Sequence, residues 1–264
     1  GMRRRGSPPA ALRDFVTRAG VTKKDKLIEM GMLENSVREV LGDTSPRRMG
    51  VLRPLKVVLT NYPEDRVEMM TAMNHPNRPE MGEREVPFSR ELWIERDDFM
   101  EDAPRKFFRL KPGGEVRLRA AYIIQCNDVV KDDDGNVVEL HCTYDESTRS
   151  GSPNSDRKVK GTIHWVSAAH AVPAEARLYD RLFREANPSA AEDFMTVLNE
   201  QSLETVDARL EPALANAATG EAVQFERLGY FARDPDWTDE RPVFNRVVTL
   251  RDSWAKLEKQ ALGG

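Results

Sequence analysis

From Arg105 to Phe183 the sequence alternates apolar and polar residues in short runs separated by turn signals, and a period of two over such short lengths predicts β-strands rather than helices. Pro112-Gly113-Gly114 opens one run, in which Val116, Leu118, Ala120, Tyr122 and Ile124 fall on one face of a strand continuing to Val129-Val130-Lys131. Asp134-Gly135-Asn136 is a tight hairpin turn into Val137–Tyr144. After an exposed loop from Ser147 to Asp156, rich in Ser, Gly and Pro, come Lys158–Val166 and Ala174–Phe183. At least four short strands with short links predict a barrel or a sandwich.

The same stretch carries an unusual charge pattern. Six Lys or Arg stand against a single Glu between Arg105 and Arg119, in a chain whose formal net charge is −4. Phe107 and Phe108 lie inside that basic run. On the expected strand Arg117 and Arg119 share the face opposite the apolar one, about 6.5 Å apart. That separation is close to the phosphate repeat of an extended single strand, and a guanidinium fork can also read a base edge. An ordinary solvated strand face would look the same, as charge runs usually do.

The flanks differ from this block. Ser7-Pro8-Pro9 is a helix-start signal, with Leu12, Phe15, Val16 and Ala19 on one face and Gly20 as a stop. A second helix is predicted from Thr22-Lys23-Lys24-Asp25 through Leu27, Ile28, Leu33, Val37, Val40 and Leu41 to Gly42. Strands are expected at Val51–Leu59 and Glu85–Ile94. Between them, the loop Asn74–Gly82 has two prolines and suits a preformed binding edge or a rigid connector. A capped turn is read at Asn187–Phe194. Strands are expected again at Ser202–Leu210, Ala222–Phe231 and Val243–Val248, with a final helical turn at Leu250–Leu257.

No apolar run reaches the roughly 18 residues of a membrane span. Gly1-Met2-Arg3-Arg4-Arg5 has no apolar stretch behind it and does not read as a secretory signal. Cys126 and Cys142 are the only cysteines, too few for a disulfide framework, and the expected setting is a reducing cytoplasm. His75, His141, His164 and His170 form no metal-ligand spacing. His141 and Cys142, being adjacent, point to opposite faces of a strand. The run Asp132-Asp133-Asp134 reads as a solvated hairpin tip. There is no phosphate-cradling glycine loop and no G-x-S-x-G elbow, so neither catalytic residues nor a metal site are expected in the chain.

Eight motifs in order connect these pieces: MRRRG (Met2–Gly6), GVTKKD (Gly20–Asp25), NHPNRPEMG (Asn74–Gly82), VPFSRELWIERDDF (Val86–Phe99), EVRLRAAYII (Glu115–Ile124), KVKGTIHWVSAAHAVPAEARLYDRLF (Lys158–Phe183), QFERLGYF (Gln224–Phe231) and FNRVVTLRDSWAK (Phe244–Lys256). Over nearly its whole length the chain resembles the C-terminal part of the glutaminyl-tRNA synthetase family. The resemblance implies a mainly β protein with an N-terminal helical subdomain and two anticodon-binding β-barrels, the distal one inserted into the proximal one. The expected limits are a helical subdomain at residues 1–44, proximal barrel at 45–104 and 184–264, and distal barrel at 105–183.

It further implies that the class I catalytic domain, with its HIGH-like and KMSKS-like signatures and its ATP and Mg sites, lies outside these residues. No cofactor is then expected in this chain. The implied partner is tRNA(Gln), with no DNA, no membrane and a monomeric state. By the resemblance Arg47 and Gln224 contact the central uridine of the anticodon, Arg109 holds the third base, a guanine, and Arg117 reads the first. Pro76 and Asn77 belong to the loop enclosing the unstacked bases, Arg119 and Arg227 are nearby candidates, and Lys23 and Lys24 touch the tRNA body. Gly42, Lys24 and Phe108 are where the sequence departs from the family pattern. Two other readings remain: a naturally truncated, non-catalytic RNA-binding protein, and a glutamyl-specific relative with the same barrels.

Overall fold

The computed structural model describes residues 1–21, 23 and 27–252. Three helices come first, α1 (Met2–Arg5), α2 (Pro9–Ala19) and α3 (Met30–Thr44). Among the described residues sixteen strands follow: β1 (Arg47–Arg48), β2 (Gly50–Val51), β3 (Pro54–Leu59), β4 (Glu68–Met73), β5 (Glu83–Phe88), β6 (Glu91–Glu95), β7 (Glu115–Leu118) and β8 (Ile123–Lys131). The remainder are β9 (Val137–Asp145), β10 (Thr162–Ile163), β11 (Val166–Ser167), β12 (Val172–Tyr179), β13 (Leu203–Leu210), β14 (Ala222–Phe225), β15 (Gly229–Arg233) and β16 (Val243–Thr249). The protein is thus mainly β with a helical N-terminal region, as the resemblance implies. The chain divides into two compact units, residues 48–174 with 207–216 interrupting a unit made of residues 1–47, 175–206 and 217–264.

In the interrupted unit the sheet order is β1-β14-β15-β16-β12, with β12 parallel to β16 and β15 antiparallel to both β14 and β16. Helices α2 and α3 pack together, and Ala11, Val37 and Leu41 join Tyr230, Ala232, Val247 and Val248 in one buried cluster. The MRRRG segment is fastened to this sheet. Gly6 ends α1 at φ 95°, and a Cβ there would lie 2.3 Å from Cβ of Ala232. Only glycine meets both demands. Arg4 donates to Asp234 at 2.9 and 2.8 Å, and Arg5 donates to the Val247 carbonyl at 3.0 Å.

Burial pushes the Asp234 carboxyl up, but hydrogen bonds from Arg4, Asn245 and the Asp236 N–H, with the Arg4 charge, hold it well below the usual carboxylate range. A carboxylate depressed on folding stabilises fully above its unfolded value, about 3.9, and that contribution is lost as pH falls toward the folded pKa. Acidification below about pH 4 is therefore expected to lower the unfolding midpoint of the wild type more steeply than that of Asp234→Asn. Parallel acid limbs in urea titrations would remove Asp234 from the account.

In the inserted unit the sheet order is β10-β7-β8-β9-β3-β6-β11, with the ribbon β4–β5 beside it in sequence. β10 and β11 are separated by only two residues yet lie at opposite ends of that order, so the sheet must curl until its edges nearly meet. This is a nearly closed barrel. Its core is aromatic: the Phe88 ring has Tyr62, Tyr122 and Trp165 edge-on at 5.4, 5.3 and 4.9 Å. The hydroxyls of Tyr62 and Tyr122 both donate to Oε2 of Glu68, at 2.7 and 2.9 Å, while Arg66 binds Oε1 at 2.9 Å. Cys126 and Cys142, both buried and free, sit directly opposite each other on β8 and β9.

Four expectations need correction. Val116–Ile124 is not one strand but a hairpin: β7 ends at Leu118, Ala120 turns at φ 57°, and Arg117 pairs with Ile123 of β8. Ala222–Phe231 is likewise the hairpin β14–β15, turning through Arg227 at φ 69°. The second helix begins at Met30, and Leu27 and Ile28, exposed at 61% and 36%, lie before it with little burial to hold a helical turn. The turn at Asn187–Phe194 is two short 3-10 pieces, Pro188–Ala190 and Phe194–Val197. The expected turn at Leu250–Leu257 extends beyond the described residues, as does Lys24.

Candidate nucleic-acid interface

Two of the expected site residues meet in the interrupted unit. β1 lies beside β14, which brings Arg47 next to Gln224. The Gln224 N–H donates to the Pro46 carbonyl at 2.9 Å, and its side-chain amide donates to the Tyr230 hydroxyl at 2.9 Å. Arg47 folds back to donate to the carbonyls of Ser45 at 2.7 Å and Gly42 at 2.9 Å. A cation on the last carbonyls of α3 complements the helix dipole, so Arg47 both ends the helix and is held in one orientation. Burial pushes its pKa down, against the opposing influence of Tyr230 and Glu226. Gly42 lies close to this cluster: a Cβ there would stand 3.4 Å from the Tyr230 hydroxyl, in ordinary van der Waals contact. Arg227 follows on the exposed turn after β14.

Sequence reasoning missed Tyr230 and the buried Glu226 in this cluster. The available signal was the hairpin: Gln224 and Tyr230 pair across β14 and β15 in register, so recognising the turn at Arg227 would have placed them together.

The inserted unit carries Arg109, Arg117, Arg119, Pro76 and Asn77. Arg109 is partly exposed and held by its guanidinium, Nη1 donating to the Asp97 carbonyl at 2.8 Å and Nε standing 3.3 Å from the buried carboxylate of Asp98. Its guanidinium lies 5.9 Å from the Phe107 ring centroid. A fork held this way loses little freedom when it meets a base edge. Arg117 donates to the carbonyls of Thr148 at 3.0 Å and Arg157 at 3.1 Å, so it also anchors the loop after β9. Arg119 lies past the end of β7, its N–H donating to the Ile163 carbonyl and its own carbonyl accepting from Trp165. The paired-arginine strand face is therefore one strand arginine and one turn arginine.

Pro76 and Asn77 are exposed on a loop closed upon itself. Asn74 donates from its backbone to Gly82 and from its side chain to Met81, and the Asn77 N–H donates to Nδ1 of the buried His75 at 3.1 Å. Arg48 reaches Oδ1 of Asn74 at 2.7 Å and so ties the loop to the barrel. Asn74 and His75 had no sequence signal beyond their place in a motif, and Arg48 had none. Lys23 is exposed and outside any helix. Among the described residues no cluster of three or more His, Cys, Asp or Glu is disposed to hold a metal, and no helix is long and apolar enough to cross a membrane.

These two arrays, orienting arginine and amide side chains beside aromatic rings, are the chemistry by which unstacked bases are read. Residues 45–145 match the family of class I tRNA synthetases (E and Q), anti-codon binding domain, and residues 162–234 match a second family of the same description. The chain belongs to the anticodon-binding portion of the class I synthetases for glutamate and glutamine. Within that class its similarity is to glutamine–tRNA ligases. It is 57% identical over 261 residues to that of Rhodopirellula baltica, covering 98% of this chain and 43% of the relative. It is 57% identical over 257 residues to that of Nitrobacter hamburgensis, covering 97% and 46%. For Vibrio vulnificus the identity is 53% over 259 residues, covering 98% and 47%. The chain therefore spans less than half the length of these relatives.

Proposed function

We propose that this chain recognises the anticodon of glutamine tRNA as the C-terminal part of a glutamine–tRNA ligase acting in protein synthesis. The observation that carries the reading is Arg109, a partly exposed guanidinium fixed through Nη1 and Nε by Asp97 and Asp98 beside Phe107. Arg109 holds the third anticodon base, a guanine, through a bidentate contact of the kind arginine makes to the O6 and N7 edge. Arg117 reads the first base with the donors not used on Thr148 and Arg157. Arg47 and Gln224 address the central uridine. Activation of glutamine by ATP with magnesium, and its transfer to the tRNA 3′ end, belong to the remainder of the ligase.

The test is titration at fixed low salt with three RNAs: the glutamine anticodon stem-loop, the same hairpin with its third anticodon base changed to cytosine, and an unrelated loop. Low salt keeps phosphate contacts from being screened away. The wild type is expected to prefer the first RNA. Arg109→Ala is expected to lose about 1–3 kcal/mol on that hairpin and little on the cytosine variant, which collapses the preference. Equal losses on both hairpins would show that Arg109 does not read the base.

A further inference from the structure

Beside Arg109 lies a cavity of about 500 Å³ whose walls include Arg105, Lys111, Lys158 and Lys160 together with Phe107 and Phe108. Glu115 is the one carboxylate among its lining residues, and Arg157 engages both its oxygens at 3.1 Å. Among the described residues no carboxylate lies within ion-pair distance of Arg105, Lys111, Lys158 or Lys160. Such a concentration of uncompensated positive charge, on a chain of net charge −4, favours an anion at this place.

The two lysines are placed there by the fold. A Cβ on Gly161 would lie 2.2 Å from the Phe108 carbonyl oxygen, so only glycine lets the Lys158–Gly161 segment close onto the Phe107–Phe108 wall. The ammonium of Lys160 stands 5.6 Å from the Phe108 ring centroid, and that ring is 51% exposed. Cation and ring orient each other there. Lys158 and Lys160 are two residues apart, hence separated by at most about 7 Å along the chain, a spacing that fits successive phosphodiesters of an extended strand.

We propose that Lys158 and Lys160 form a phosphate clamp for single-stranded RNA, with the open face of Phe108 receiving a base. The clamp rests on the reading of this unit as an anticodon binder and adds to it residues that act on the RNA backbone. The two lysines supply affinity without sequence preference, while Arg109 supplies preference. Phe108 contributes stacking, which tolerates any base.

The experiment measures Kd over a salt series for the full chain and for Lys158→Gln, Lys160→Gln, Lys160→Arg and Phe108→Leu. The RNAs are the glutamine anticodon stem-loop, its third-base variant and a short oligouridylate. Each lysine-to-glutamine change is expected to weaken all three RNAs by the same factor and to lower the slope of log K against log[salt] by about 0.7, the single-strand value for one phosphate. Lys160→Arg keeps the slope. Phe108→Leu weakens binding with the slope unchanged. Wild-type slopes in both glutamine variants, with unfolding midpoints confirming folded protein, would overturn the clamp while leaving anticodon reading intact. Equal wild-type affinity for all three RNAs with the expected slope changes would overturn anticodon reading and keep the clamp. No RNA bound by the wild type would overturn both.

Discussion

Glu211→Ala is expected to lower the stability of the inserted unit by about 3–5 kcal/mol, the range seen when one partner of a buried ion pair is removed. Glu211 is fully buried and binds three groups at once. Arg84 engages it bidentately at 2.5 and 2.9 Å, the Met49 N–H donates to it at 2.9 Å, and Arg48 stands 3.7 Å away. Without that carboxylate two poorly solvated guanidiniums face each other, and burial with the Arg84 charge already pushes the pKa of Arg48 down. Glu211→Gln keeps the shape and one acceptor but loses the charge, so its cost should be intermediate. Replacing both partners, with Arg84→Met and Glu211→Leu, should recover part of the loss, because Arg48, which also bonds Asn74, is then the one cation of the three groups that still loses the carboxylate. Urea unfolding of the variants checks the order. A loss under about 1 kcal/mol for Glu211→Ala would mean that Arg84 escapes to water.

Gly6→Ala is expected to cost about 2–5 kcal/mol in the interrupted unit, combining the left-handed backbone penalty with overpacking against a buried neighbour. The added methyl meets Cβ of Ala232 at 2.3 Å and Val247 at 3.2 Å, and neither is the free end of a long side chain. Relief requires α1 to leave the sheet, taking with it the Arg4–Asp234 and Arg5–Val247 bonds. Two readouts follow: a lowered thermal midpoint, and faster tryptic cleavage at Arg3, Arg4 and Arg5. Unchanged cleavage together with an unchanged midpoint would show that the sheet yields instead.

The β character was legible because alternation and turn chemistry agreed over most of the chain. Asp134-Gly135-Asn136 turned where its residues said it would, at φ 83° for Gly135, between β8 and β9. The hairpins at Ala120 and Arg227 were illegible for one reason. Both turn through a left-handed residue that is neither Gly, Asn nor Asp, so the turning residue itself carries no signal, although Gly229 follows the second turn, and two strands read as one. The Ala120 turn is held locally by the Leu118 N–H on the Tyr122 carbonyl, and from elsewhere in the chain by Trp165 on the Arg119 carbonyl. The candidate arginines could be named from their motifs. Their anchoring could not, because Asp98 and Thr148 are groups that only the folded chain brings to Arg109 and Arg117, and the bond from Arg47 to Ser45 depends on how α3 ends.

The interruption of one unit by the other also sets a timetable for the chain as it is made. Arg4 and Asp234 are 230 residues apart in sequence, and Arg5 and Val247 are 242 apart. At the usual pace of synthesis, roughly 5–20 residues per second, α1 waits about 10–50 s for the sheet it docks on. Strands β3 to β11 need no such wait, since their partners follow one another within residues 54–167. The aromatic barrel can therefore close while the basic N-terminal segment is still without a partner. The cluster of Arg47, Gln224 and Tyr230 is among the last parts of the molecule to take shape.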